Sequence, residues 1–116
     1  CLNIPAESVI LHAGMEVTEV LTGTSSDVGY DLGITGGDVD NFVDGFDADG
    51  ASAGAYAPTS AAYAPVIVGA ADTLDILVQA QTGTTLTGKI RVFATLMDIS
   101  DAGDMAANEV DRDTLA

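Results

Sequence analysis

DLGITGGDVDNFVDGFDADG, residues 31–50, sets Asp31, Asp38, Asp40, Asp44, Asp47 and Asp49 among five glycines, with Phe42, Val43 and Phe46 between them. A helix is disfavoured here. Glycine costs about 1 kcal/mol in a helix interior, and aspartate prefers to bond its own local backbone in turns. The aromatic and branched residues nevertheless need burial, so the stretch predicts a strand followed by an ordered acidic loop. Just upstream, Val28, Tyr30, Leu32 and Ile34 alternate with Asp27, Gly29, Asp31 and Gly33. That period of two predicts a strand over 28–34 with one buried face and one wet face.

Working outward, residues 9–13 (VILHA) and 15–22 (MEVTEVLT) predict two short strands separated at Gly14. Downstream, GASAGAYAPTSAAYAP contains the tetrapeptide AYAP twice, ending at Pro58 and Pro65. Proline withholds a ladder donor and keeps the preceding residue extended. This segment therefore predicts a long extended loop or edge strand anchored by Tyr56 and Tyr63. Those tyrosines either pack on their own domain or meet a neighbouring subunit.

Two further strands follow. In DTLDILVQA, Leu74, Ile76 and Val78 share a face; in KIRVFATLMDI, Ile90, Val92, Ala94 and Leu96 do. Each Leu, Ile or Val among them contributes roughly 1.5–3 kcal/mol when fully buried. Adjacency in sequence predicts that the two strands pair as a hairpin at the centre of the core. Phe93 and Met97 then lie on the opposite face, either under the Ala-rich loop or in a subunit interface. Beyond residue 99 the alternation is lost, and SDAGDMAANEVDRDTLA predicts an acidic arm with Met105 and Val110 as its apolar contacts. The expected organisation is a β-sandwich domain over residues 1–99 and an acidic C-terminal arm over 100–116.

Composition narrows the function classes. A chain of 116 residues can remove roughly two-thirds of its unfolded surface from water. Eighteen acids, fourteen of them Asp, oppose only Lys89, Arg91 and Arg112, for a net charge of −15. Phosphate attraction requires a basic patch, so nucleic acid is not an expected partner. No apolar run approaches the length of a membrane span, so a membrane is not an expected partner either. Repulsion of this size favours solubility and suits a salty medium.

For catalysis, a nucleophilic triad needs a histidine beside Ser or Cys, and His12 sits in a strand with no motif around it. With one His and one Cys, a zinc site lacks ligands. No enzyme and no cofactor are expected. Calcium is the one ion the residues suit, through Asp38, Asp40, Asp44, Asp47 and Asp49. The order departs from an EF-hand, because Phe42 stands at the third ligand position and Asp49 where a closing Glu belongs. The competing reading is a turn-forming acidic surface held by side-chain-to-backbone bonds.

Taken together, IPAESVILHAGMEVTEVL, DVGYDLGITGGDVDNFVDGF, ADTLDILV and TGKIRVFATLMDI resemble small structural proteins of tailed phages. The resemblance centres on the step Asp31–Leu32–Gly33 leading into Asp38, Asp40, Phe42, Val43, Asp44 and Gly45. It implies an all-β, jelly-roll-like antiparallel sandwich on the virion capsid surface, acting as a head-decoration (cement) protein. Its implied partners are the major capsid protein and itself, as a homotrimer. Tyr56, Tyr63, Phe93, Met97, Met105 and Val110 are the expected contacts. The alternative is a tail-fibre, baseplate or other adhesion module that uses the acidic loop, with or without calcium, to hold a glycan. A third reading is a surface lipoprotein acylated at Cys1.

Overall fold

A computed structural model describes residues 1–22, 29–48, 51–79 and 87–100. These residues form seven strands: β1 (Leu2–Ile4), β2 (Ser8–Thr22), β3 (Gly29–Ile34), β4 (Val43–Asp47), β5 (Val66–Val68), β6 (Asp72–Val78) and β7 (Thr87–Asp98). They build two antiparallel sheets, ordered β1-β6-β3-β4 and β5-β2-β7. The chain is an all-β sandwich, as its alternation and its Asp/Gly punctuation predict. A jelly roll carries eight strands in two Greek keys. The described residues supply seven strands in two antiparallel sheets.

One core lies between the sheets. Ile4, Leu32, Ile34 and Leu74 come from the four-stranded sheet, and Ile10, Ala13, Met15 and Val68 from the three-stranded one; Phe42 and Val43 close the rim. A smaller cluster of Val17, Leu21 and Ala48 extends the core toward one end.

Three expectations are corrected. Gly14 does not end a strand: β2 runs unbroken for 15 residues. It pairs with β7 from Ser8–Asp98 to Thr22–Thr87, with register shifts after Ile10, Val17 and Glu19. Those irregularities keep Ile10, Ala13, Met15 and Val17 inward over a length that strict alternation would not sustain. Second, the strands over 72–78 and 87–98 are not a hairpin. β6 lies between β1 and β3, whereas β7 pairs with β2, so the connection between them crosses from sheet to sheet. Third, β3 has no wet face. Asp31 and Leu32 are both fully buried, and Gly33 and Ile34 are buried beside them. The expected acidic arm, with Met105 and Val110, lies outside the described residues.

Candidate interaction surfaces

The acidic stretch folds back onto the strand that delivers it. The Asp38 carbonyl accepts from Ile34 N–H (2.9 Å), and the Leu32 carbonyl accepts from Phe42 N–H (3.0 Å). This lays the backbone of Asp38 and Val39 directly over Gly33, where a Cβ would stand 2.2 Å from the Asp38 oxygen. The turn itself is what dries the second face of β3. From there the chain returns as β4, pairing Leu32 with Val43, Tyr30 with Phe46 and Gly29 with Asp47. Phe42 and Val43 are fully buried and Phe46 half-buried, so all three pin the segment as the sequence predicts, but residues 43–47 form a strand where a loop is expected.

Two carboxylates hold this rim, Asp31 from inside and the half-buried Asp72 from the surface. Asp31 accepts from Gly45 N–H (2.7 Å) through one oxygen and from the Gln79 amide through the other. Asp72 accepts from Gly36 N–H at 3.0 and 3.2 Å. The Asn41 amide donates to the Ala64 carbonyl (2.9 Å), and Ser60 N–H donates to Phe42 O (2.9 Å), which ties the Ala-rich segment to the same rim.

The remaining acids face out: Asp38, Asp44 and Asp47 are exposed and Asp40 half-buried. A hydrogen bond that the protonated Asp40 carboxyl donates to the Asp38 side chain, with some burial and the charges of Asp38, Asp44 and Asp31, raises the Asp40 pKa above its ordinary value. Among the described residues no three His, Cys, Asp or Glu side chains are placed to hold a metal ion. The four described members of the expected calcium set thus do not form a ligand shell, and Asp49 lies outside the described residues. Backbone bonds, the inward carboxylate of Asp31 and the half-buried one of Asp72 account for the order of the loop.

The second surface is the outer face of the three-stranded sheet. Register places Val9 between Ile67 on β5 and Met97 on β7. Cross-strand neighbours share a face, so these three form an apolar row. It is open to solvent, with Ile67 72% and Met97 47% exposed. Further along the same face lies an aromatic cluster. Gly14 is the register partner of Phe93, and its missing side chain makes room for the ring, which would stand 2.7 Å from a Cβ there. His12 stacks on Phe93 (centroids 6.3 Å apart), Tyr56 meets Phe93 edge-on (6.2 Å), and Tyr63 meets His12 edge-on (5.6 Å).

The Ala-rich segment thus packs on its own domain. Val17 N–H donates to Ala55 O (2.9 Å), Ala57 N–H to Met15 O (3.0 Å), and the Tyr63 hydroxyl to the Leu11 carbonyl. Phe93 is covered by Tyr56 and His12. Met97 is not covered. Of the expected contact residues, Tyr56, Tyr63, Phe93 and Met97 converge on one sheet; Met105 and Val110 lie outside the described residues.

Sequence reasoning missed Val9 and Ile67 as surface partners of Met97. The signal was present in the β-branched triplet Val66–Val68, but its pairing with Ser8–Ile10 is a long-range property. It also missed the inward carboxylate of Asp31, which alternation had assigned to solvent. His12, the one histidine, contacts Tyr63, Phe93 and the Thr59 hydroxyl (3.4 Å). No family model matches this chain, and no match to it was found among curated proteins or solved structures.

Proposed function

We propose that this chain is a virion structural protein of a tailed phage, a decoration or cement protein that binds the capsid surface and stabilises its lattice. The observation that carries the reading is the apolar row in which exposed Ile67 and Met97 flank half-buried Val9, on a domain of net charge −15. A soluble acidic domain with a localised apolar strip is suited to docking at one place while repelling contact elsewhere. Phe93, Tyr56 and Tyr63 border that strip and supply aromatic contact area of the kind enriched at interfaces. The acidic β3–β4 rim, stiffened by Asp31, forms a different part of the surface from this strip.

On this reading the protein acts by multivalent contact. Many copies, each holding the capsid modestly, add through shared geometry. The test is reconstitution: the purified chain is mixed with capsids stripped of surface proteins, and bound copies are counted by cryo-EM. Occupancy of the head lattice in hundreds of copies, with Met97→Asp reducing binding, is the expected result. Localisation to the tail, or equal binding by Met97→Asp, overturns it.

A further inference from the structure

The inner face of β7 is incompletely covered. Its core-facing residues Ile90, Val92 and Ala94 are only half-buried and Leu96 is 40% exposed. Their register partners on β2, which are Val17, Met15, Ala13 and Ile10, are at most 1% exposed. The difference follows from position. β7 ends its sheet, and among the described residues no strand pairs with its second edge. From Ile90 to Asp98, beyond Gly88 (φ 154°), this is an edge that no described strand pairs and whose apolar side chains stand half out of the core, a template for strand addition.

We infer that this edge pairs with β7 of a second copy of the chain, antiparallel across a two-fold axis, to give a continuous six-stranded sheet. Charge and length together select that occupant. The other sheet edges are β1 and β5, of three residues each, and β4, of five. β4 carries Asp44 and Asp47 and is interrupted at Gly45, whose φ is 68°. β7 is the one described strand in which bases outnumber acids, with Lys89 and Arg91 against Asp98. Lys89 and Arg91 are paired with Glu19 and Glu16 on β2, so this edge is close to neutral where β4 is acidic, and two copies of a chain carrying −15 meet less repulsion along it than along β4.

The pairing also fits residue by residue. An antiparallel ladder centred on Ala94 keeps inward residues opposite inward ones and outward opposite outward. It sets Leu96 of each copy beside Val92 of the other, closing the uncovered flank of both cores. On the outer face it lays the aliphatic stem of Arg91 along Met97, and no two like charges stand opposite each other. A pair built this way is a different unit from the homotrimer that the phage resemblance implies, so mass alone separates them. The inference does not depend on where the protein resides.

The experiment is analytical ultracentrifugation of the full chain, wild type and Leu96→Glu, with hydrogen exchange of the wild type over a dilution series. The expected wild-type mass is twice the 11.7 kDa of one chain. Leu96→Glu should fall to a single-chain mass with its far-UV circular dichroism unchanged. Amides of β7 should gain protection as concentration rises while those of β4 do not. If the variant fails to fold, this last measurement decides alone. A wild-type mass of one chain or of three overturns the inference. So does a double mass without concentration-dependent protection of β7, or one that a folded Leu96→Glu retains.

Discussion

Replacing Gly33 with alanine sets a methyl group 2.2 Å from the Asp38 carbonyl oxygen and equally near the Val39 carbonyl carbon. Both obstacles are backbone, so no rotamer change relieves the clash, and the turn must lift off β3. Lifting it weakens the bonds from Ile34 N–H and Phe42 N–H and wets the buried Asp31 and Leu32. Overpacking of this kind costs about 1–3 kcal/mol, and the rigid surroundings place Gly33→Ala at or above the upper end. Urea unfolding should show it, with Gly69→Ala as a near-neutral control, since nothing lies within 4 Å of a Cβ there. Asp31 makes the complementary case. Its carboxylate holds Gly45 on β4 and Gln79 just after β6, so one buried side chain fastens the strands on either side of β3. Asp31→Ala deprives both donors of their acceptor and should cost about 1–3 kcal/mol. Asp31→Asn keeps one acceptor oxygen and, with the Gln79 amide turned over, should cost less than the alanine variant in the same unfolding series.

At the scale of elements, the acidic turn between β3 and β4 holds like charges together, and its pH response follows from Asp40. The neighbouring Asp38 side chain raises the Asp40 pKa above its ordinary 3.8. A carboxyl with a raised folded-state pKa takes up its proton first in the folded protein. That group's contribution to stability therefore improves as pH falls through the raised value, and it opposes folding above it. Asp40→Asn removes the penalty, so its melting temperature should exceed that of the wild type near neutral pH. The gap should close as the pH approaches 3.8. An advantage that persists unchanged at acid pH would mean the gain comes from turn geometry instead of charge. This turn also marks how far sequence could reach. The Asp/Gly pattern and the pins Phe42, Val43 and Phe46 were legible because turn chemistry and pleat period are local. That Asp31 and Gly33 lie dry was not legible, since their cover comes from the turn, Gln79 and β4 folding back. The same division explains β6 and β7. Alternation announced both strands, but their partners are set by cross-sandwich packing, so neighbours in sequence became members of different sheets. For the candidate surface, Phe93, Met97, Tyr56 and Tyr63 were legible as surplus apolar residues. Their row-mates Val9 and Ile67 required the register of β2.

For the whole molecule, the dominant long-range term is its charge. Among the described residues, Lys89 pairs with Glu19 at 2.9 Å and Arg91 with Glu16. The Lys89–Glu19 pair is exposed on both sides, and such a pair contributes about 0–1 kcal/mol; Arg91 reaches a Glu16 side chain that is largely buried. Against them stand eighteen acids on 116 residues, whose mutual repulsion is relieved when the chain unfolds and the charges separate. Screening acts on the two terms unequally. The Debye length shortens from about 10 Å at 0.1 M salt to about 3 Å at 1 M. That change removes most repulsion between separated acids, whereas contacts as close as Lys89–Glu19 are weakened less. Added potassium chloride should therefore raise the melting temperature by several degrees over this range, measured at one fixed protein concentration. The same screening should tighten association through β7, because the repulsion opposing two copies falls while the apolar contacts of Leu96 and Val92 do not. A melting temperature that stays flat or falls with salt would mean that attraction around Lys89 and Arg91 outweighs the repulsion. Charge would then not favour β7 as the self-pairing edge.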